Sequence, residues 1–342
     1  MLDKNVLALA ILEAIEEPAL IVDAGLVAAA NAPAKQLLGG QMVGRDLRLA
    51  IRHPLALDTI SAGLEAELEV IGIGAVDRPW SLRVRPLARG SVLVRLADRS
   101  PLRSAERMRT DFVANASHEL RTPLATIIGY AETLSEKGPV DEGMRERFGT
   151  TIETEARRML RIVEDLMSLS RIEADRFRVP DELVDLAEVA RIAIENAAPL
   201  LDRGNYRIEA NIEPDSPVAG DFAQLLQLAD NLIGNAIRYG CSERDSAVQV
   251  TVKGDGSRVI LVVSDHGDGI AAIHLPRLTE RFYRVDPARS RESGGTGLGL
   301  AIVKHIVERH RGQLDIRSDP GRGTEVSVFL PALQPMDHVT KM

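Results

Sequence analysis

The sequence predicts a multidomain α+β protein in three parts, residues 1–98, 99–175 and 176–333, with a polar tail at 334–342. Short strand-like runs around a helical middle predict a small α+β domain in the first part. Apolar residues at coiled-coil spacing predict a helical hairpin in the second, and strand runs interleaved with amphipathic helices predict an α/β sandwich in the third. A chain of 342 residues is long enough for each part to bury a core.

Composition restricts the partners and the compartment. The 42 Lys and Arg residues face 50 Asp and Glu residues, giving a net charge of −8 without a basic block, which argues against nucleic acid or anionic lipid as the main partner. The single cysteine, Cys241, excludes an intramolecular disulfide and fits a reducing compartment. The apolar opening run Asn5–Ile15 is too short to span a bilayer. We expect a cytoplasmic protein, or a membrane-anchored one that lacks its anchor here.

The first part combines strand-like runs with small-residue turns, which we place at Gly25–Pro33. The strand-like runs are Ala19–Val22, Ala66–Ile71, Trp80–Val84 and Ser91–Leu96. The position and length of this part, and the string Pro18–Asp23 followed by Asn31 and Ala32, resemble a PAS sensor domain.

The sequence pattern of the second part predicts two helices whose apolar faces need another surface to cover them. The first runs through His118 to about Glu136, and Gly138 with Pro139 marks the turn. The second repeats apolar residues at Phe148, Ile152, Ala156, Met159, Val163 and Leu166. Two such helices cannot bury their seams alone, so pairing with a second copy predicts a homodimeric four-helix bundle. A hairpin packed on its own sensor domain is the alternative.

The third part predicts helices packed against one mixed sheet. Its strand runs are Tyr206–Ile212, Val248–Val252, Val259–Val263, Gln313–Ser318 and Thr324–Leu330, and its helical runs are Leu186–Leu201, Asp221–Tyr239 and Leu298–Arg309. Val259–Val263 is apolar throughout, so we expect it to be the central strand.

The first hairpin helix carries a histidine on its polar face. If Leu120 belongs to the apolar seam, His118 lies 200° around the helix from it, at 100° per residue. Thr122 lies one turn above His118, and the adjacent Glu119 has a carboxylate that could take or orient a ring proton. An incidental surface histidine is the simple alternative, which a downstream nucleotide site would argue against.

The helix Asp221–Tyr239 ends with the residues of a nucleotide site. Asn231 and Asn235 are four residues apart, so two amide oxygens project from one face toward a hard cation. Arg238 brings positive charge for phosphates, and Tyr239 an aromatic face for a base.

Two glycine-containing strings follow. Asp265 ends the central strand and can accept from the exocyclic amine of adenine, while Gly267 and Gly269 let the base approach. Glycines before a helix N-terminus expose backbone N–H groups to phosphates. The residues of this second string are Gly294, Gly295, Thr296, Gly297, Leu298 and Gly299.

Between the two glycine strings, aromatic anchors at Glu280–Asp286 precede the polar run Pro287–Ser293, which predicts a mobile lid. Arg284 is placed to meet a γ-phosphate as charge develops during transfer. A solvated loop with an apolar anchor is the alternative.

In order and spacing, these strings resemble the phospho-acceptor, N, G1, F and G2 boxes of sensor histidine kinases, with Gly321–Thr324 as the closing motif. The ATP-binding fold implied is shared with gyrase, Hsp90 and MutL type ATPases. The acceptor box Ser117–Leu124 and the string Phe282–Asp286 look most like phosphate-regulon sensor kinases. One departure is Arg238, where lysine is common.

The resemblance implies a protein histidine kinase that uses ATP and Mg²⁺, with Asn235 as metal ligand. His118 is phosphorylated, Glu119 orients the ring or accepts its proton, and Arg284 stabilises transferred charge. The phosphoryl group then passes to an aspartate of a separate response regulator. Thr122 matches the position that serves regulator dephosphorylation, so phosphatase activity is also expected.

Two other functions share parts of this pattern. An ATP-gated conformational ATPase of the gyrase or Hsp90 type would hydrolyse ATP without His118. A pseudokinase scaffold would bind ATP without transfer, although His118, Asn235 and Asp265 are all intact.

Overall fold

The structure is a computed structural model, and it forms two compact units, Met1–Asp111 and Phe112–Met342. The residues it describes are 4–74, 77–136, 141–175, 178–204, 206–241, 247–286 and 295–333. The predicted turn at Gly138 and Pro139, the polar run Pro287–Ser293, Gly294 and the tail 334–342 lie outside the described residues.

The N-terminal unit is an antiparallel sheet with helices inserted between its second and third strands. Sheet order is β2-β1-β5-β4-β3, and the apolar faces of sheet and helices form one core. The strands are β1 Ala19–Asp23, β2 Leu26–Ala30, β3 Ala66–Ile71, β4 Pro79–Pro86 and β5 Val92–Asp98. The helices are α1 Lys4–Glu13, α2 Ala32–Leu38, α3 Leu47–Ala50 and α4 Pro54–Ala62.

The prediction of turns throughout Gly25–Pro33 was wrong, because this stretch contains strand β2 and the start of helix α2. Pairing with β1 overrides the weak strand preference of three consecutive alanines. Asn31 joins the two elements: its buried Oδ1 accepts from the N–H groups of Ala19 and Ala34, and its Nδ2 donates to two further carbonyls. This one amide caps α2 and ties it to β1.

Two long helices follow, α5 Ser100–Ser135 and α6 Glu142–Ala174. α5 continues through Pro123, and Asp141 caps α6. Of the predicted seam of α6, Ala156 and Val163 are exposed in the single chain. The apolar residues that α6 buries are Ile162, Leu169 and Ile172, and the last two join the core formed by the rest of the second unit.

The rest of the second unit, called the ATP lobe after the expectation from the sequence, has the predicted mixed sheet. Its order is β11-β12-β10-β9-β7, and only β7 is parallel to its neighbour β9. Its strands are β7 Arg207–Ile212, β9 Ala247–Gly254, β10 Arg258–Asp265, β11 Gln313–Asp319 and β12 Gly323–Pro331. The apolar run Val259–Val263 is central, as predicted. A further sheet that we did not predict pairs β6 Glu182–Asp185 with β8 Pro217–Gly220.

Helices of the lobe pack on the sheet and form its core with Leu261 and Val263. They are α7 Leu186–Asn196, α8 Ala198–Gly204, α9 Phe222–Gly240 and α10 Gly299–Arg309. The single predicted helix Leu186–Leu201 is therefore two helices. Pro199 lacks the N–H that a helix interior needs, so it occupies a new first turn instead.

Among the described helices, none is both long enough and apolar enough to cross a bilayer.

Candidate active site

A cavity of about 350 Å³ lies between the end of α9, the end of β10, the loop before α10 and one face of α6. Its volume falls in the range of about 300–1,000 Å³ that is typical of small-molecule sites. Most residues predicted to bind nucleotide line this cavity, although Gly267 and Leu298 do not. Those that do, together with Arg284, are Asn231, Asn235, Arg238, Tyr239, Asp265, Gly269, Gly295, Thr296, Gly297 and Gly299.

Asp265 is held rigidly at the end of β10. Its Oδ1 accepts from the N–H groups of Gly267 at 2.9 Å and Thr324 at 3.2 Å. Burial raises the pKa of this carboxyl, and the two backbone N–H groups oppose that rise. At Gly269, where φ is +65°, a Cβ would meet the carbonyl oxygen of Asp319 at 2.0 Å, so only glycine fits. The arrangement presents a fixed acceptor at the inner wall of the cavity.

The two asparagines of α9 lie on one face, as predicted. Asn231 Nδ2 donates to the Gln227 carbonyl at 2.9 Å, which turns Oδ1 toward the start of α10. A Cβ at Gly299 would come within 2.8 Å of that oxygen, so the glycine leaves room for it. Asn235 Oδ1 lies 3.5 Å from Arg238 Nη2. Within the described residues, no group of three or more His, Cys, Asp or Glu side chains could hold a metal.

Arg238 is half-buried in the cavity wall, and its buried Nε lacks a hydrogen-bond partner among the described residues. Burial lowers the pKa of this guanidinium. A half-buried cation with an unused donor in a cavity wall is stabilised when an anion binds it, so the position suits a phosphate. Tyr239 follows at the cavity rim, with its ring partly exposed.

The loop before α10 is joined to two other segments. Phe282 N–H donates to the Gly297 carbonyl at 2.8 Å, which holds the start of the predicted lid against the loop. The Thr296 hydroxyl accepts from Leu298 N–H at 3.2 Å and donates to Asp165 Oδ2 at 2.7 Å. Burial raises the pKa of Asp165, although the hydroxyl opposes this. Gly299 begins α10, so the positive end of the helix dipole faces the cavity.

The histidine predicted as acceptor is exposed on α5. The Thr122 hydroxyl donates to the His118 carbonyl at 3.2 Å, so these residues stack one turn apart, as predicted. Glu119 points toward α6 and the ATP lobe, where its Oε2 accepts from Arg158 Nη2 at 3.1 Å and Arg284 Nη2 at 3.3 Å. Arg284 also donates to the Gly295 carbonyl. One side chain of the ATP lobe thus connects the acceptor segment with the cavity.

Helix α6 contributes residues that our sequence reasoning missed. Arg161, Glu164 and Asp165 line the cavity, and Arg158 binds Glu119. A signal was present for Arg158, because it lies four residues before the buried Ile162 and so places a charge on the apolar face. The sequence pattern did not mark Arg161, Glu164 or Asp165 as site residues, because polar residues on a helix are ordinarily exposed to solvent.

The fold and this site define an ATP-binding protein with a phospho-acceptor helix, and comparison with known proteins gives the same class. Residues 108–175 match the His Kinase A (phospho-acceptor) domain family. Residues 220–334 match the family of histidine kinase-, DNA gyrase B- and HSP90-like ATPases.

Two relatives agree with this class in their sequences, SenX3 and PhoR. The chain is 34% identical over 322 residues to the sensor-like histidine kinase SenX3 of Mycobacterium tuberculosis, covering 94% of this chain and 74% of that protein. It is 41% identical over 243 residues to the phosphate regulon sensor protein PhoR of Pseudomonas aeruginosa, covering 70% of this chain and 54% of that relative, so it spans about half of PhoR. The structure of the Acinetobacter baumannii histidine kinase AdeS has a TM-score of 0.49 and 25% identity, covering 64% of this chain and 98% of that one.

The chain belongs to the sensor histidine kinases. The prediction of a protein histidine kinase, acting by ATP-dependent autophosphorylation and phosphotransfer, is confirmed, as is the likeness to phosphate-regulon sensor kinases. The gyrase-type ATPase and the scaffold are not favoured, because a phospho-acceptor domain precedes the ATP-binding domain.

Proposed function

We propose that His118 is the phospho-acceptor of this kinase. Its Nε2 attacks the γ-phosphorus of ATP in line, an N–P bond forms, the bond to the β–γ bridging oxygen breaks, and ADP leaves. The observation that carries the proposal is the position of Arg284, which lines the ATP cavity and also binds Glu119, the residue next to His118. Glu119 orients the imidazole or accepts its proton.

The nucleotide is held by residues from three elements. Asp265 accepts from the adenine amine, and Gly267 and Gly269 allow the base to approach the backbone. Arg238 and the N–H groups at the start of α10 bind phosphates. These last donors belong to the run Gly295, Thr296, Gly297, Leu298 and Gly299.

Asn235, with Asn231 beside it, fits a Mg²⁺ site. The hydrogen bond from Asn231 Nδ2 to Gln227 leaves an amide oxygen turned toward the phosphate loop. Mg²⁺ commonly takes one or two protein oxygens and completes its shell with phosphate and water, which suits a site built from amides. Bound there, the ion would neutralise charge on the triphosphate.

The kinase functions as a homodimer through a four-helix bundle. Apolar side chains of α5 and α6 that the single chain leaves exposed support this, namely Val113, Leu124, Ile128, Leu160, Val163 and Met167. Burying such a stripe against a second copy is the usual solution for a helical hairpin.

The first part, residues 1–98, is a PAS-like sensor domain, followed by the hairpin at 99–175 and the ATP lobe at 176–333. The antiparallel sheet with helices between its second and third strands supports the sensor assignment.

The protein acts at the cytoplasmic side, and its signal is related to phosphate supply, as the likeness to PhoR suggests. Its partner is a response regulator, which Thr122 also helps to dephosphorylate.

Incubation with ATP labelled at the γ-phosphate tests the proposal. We expect label on the protein that is stable to alkali, labile to acid, and absent from His118→Gln. Asp265→Asn should also abolish labelling, because the adenine acceptor is changed. Release of free labelled phosphate at the same rate in wild type and His118→Gln, without labelled protein, would support the ATPase alternative instead.

A further inference from the structure

Arg158 lies on α6, only 6% exposed, and faces two carboxylates. Its Nη2 donates to Glu119 Oε2 on α5 at 3.1 Å, and its Nη1 lies 3.8 Å from Glu155 Oε2 on its own helix. Its Nε is buried without a partner among the described residues. The guanidinium therefore crosses the hairpin and reaches the residue adjacent to the phospho-acceptor.

A gain in folding stability does not explain why a charged residue, Arg158, occupies this buried position. Desolvating a guanidinium and a carboxylate costs about as much as their attraction returns, and apolar replacements of similar size are often as stable or more so. Ile162, one turn further along the same face, is completely buried, so an apolar residue would suit the environment of Arg158. The charge must serve another purpose.

The two arginines that bind Glu119 differ in where they are attached. Both donate to the same oxygen, Oε2. Arg284 belongs to the ATP lobe, whereas Arg158 and Glu119 belong to the same hairpin. The contact of Arg158 with Glu119 is therefore built into the hairpin and does not depend on how nucleotide occupies the lobe.

We propose that Arg158 is a positioning residue for Glu119: it fixes the carboxylate beside His118 so that the imidazole is oriented before phosphoryl transfer. This inference rests on the proposed function. A carboxylate that is already fixed does not need to be ordered during the reaction, and a misplacement of about 1 Å in such a group can cost about 100-fold in rate.

Arg158→Met tests the role, with the full-length protein and γ-labelled ATP. We expect the rate constant of autophosphorylation to fall about 10- to 100-fold while the KM for ATP stays within about twofold, because Arg158 contacts Glu119 and not the nucleotide cavity. Arg158→Lys keeps the charge but loses the planar fork, so it should restore part of the rate. Arg157→Met is the matched control, since Arg157 is the exposed neighbour that binds Glu153, and its rate should be unchanged.

A double-substitution cycle separates positioning from a general structural effect. Glu119→Gln alone should lower the rate constant of autophosphorylation. Adding Arg158→Met to it should lower that rate constant no further, because the residue that Arg158 positions has already been changed. A further 10-fold or greater loss in the double variant would overturn the inference, as would a wild-type rate in Arg158→Met. If Arg158→Met does not fold, Arg158→Gln serves in the same cycle. A wild-type protein that carries no label on His118 would refute the proposed function itself, before any variant is compared.

Discussion

Thr296 donates its only hydroxyl proton to Asp165, at 2.7 Å, and thereby joins the phosphate loop of the ATP lobe to the second helix of the hairpin. The same hydroxyl accepts from Leu298 N–H. A half-buried carboxylate thus accepts the hydroxyl proton of a residue that we assign to phosphate binding, in a cavity that must accept a strongly negative triphosphate.

We expect Asp165→Asn to bind ATP more tightly. The amide oxygen can still accept from Thr296, so the change mainly removes one negative charge from the cavity. Weaker repulsion of the phosphates should lower the Kd of a non-hydrolysable ATP analogue about three- to tenfold at low salt. Isothermal titration calorimetry measures this. Asp181→Asn, at an exposed carboxylate outside the cavity lining, is the control, and an unchanged or higher Kd for Asp165→Asn would contradict the prediction.

Gly299→Ala should weaken nucleotide binding without unfolding the lobe. The added Cβ would lie 2.8 Å from Asn231 Oδ1 and push that amide away from the phosphate loop. We expect the KM for ATP to rise about tenfold, with a higher Mg²⁺ requirement. Gly129→Ala on α5 is the control, because a Cβ there meets nothing within 4 Å. An unchanged KM and Mg²⁺ dependence in Gly299→Ala would argue against the asparagine site.

Thr122→Ala should separate autophosphorylation from the phosphatase activity that we propose. The Thr122 hydroxyl donates to the His118 carbonyl, and its oxygen lone pairs remain able to orient a water. Autophosphorylation should stay within about twofold of wild type, while dephosphorylation of the regulator falls about tenfold or more. Thr126→Ala removes the equivalent bond one turn later and should change neither rate. Equal loss of both activities in Thr122→Ala would count against a phosphatase role.

His310 should make the stability of the ATP lobe sensitive to acid. The ring is 3% exposed, with Nδ1 2.8 Å from the Ile306 carbonyl and Nε2 accepting from Asp221 N–H at 3.0 Å, so it is neutral and Nδ1 carries the proton. Burial lowers its pKa from the usual value of 6.5. The unfolded chain binds the proton more readily, so the stability from this ring is complete above about pH 6.5 and is lost as pH falls toward the folded-state pKa.

His310→Gln tests this by urea unfolding at pH 7.5 and 5.5. The glutamine oxygen can replace the Nε2 acceptor, but the hydrogen bond to Ile306 is lost. We therefore expect the free energy of unfolding at pH 7.5 to be about 1 to 2 kcal/mol lower than in wild type. Between pH 7.5 and pH 5.5 this free energy should decrease less in the variant than in wild type. His118→Gln, at an exposed histidine, should retain the wild-type pH dependence. If the two variants show the same pH dependence, His310 is not the group responsible.

Most of the fold could be predicted from the sequence, because helices and strands are marked by local patterns of apolar and polar residues. The apolar run Val259–Val263 predicted the central strand, and the spacing of Asn231 and Asn235 predicted one helix face, because strand and helix periods project residues in fixed directions. The errors arose where distant contacts decide the outcome. Strand β2 exists because β1 pairs with it, although its three consecutive alanines have a weak strand preference.

The sequence by itself determined the family, and it predicted the acceptor histidine and the nucleotide motifs, because each is a short string whose chemistry depends on residue type and spacing. Only the tertiary structure decided that Arg158 and Arg284 meet on one oxygen of Glu119, and that Asp165 holds Thr296. These partners are 39, 165 and 131 residues apart in the chain, and no local period relates them. Pairing of α5 with α6 brings Arg158 to Glu119. Packing of the hairpin against the ATP lobe, through the buried Leu169 and Ile172 of α6, brings Arg284 to Glu119 and Thr296 to Asp165.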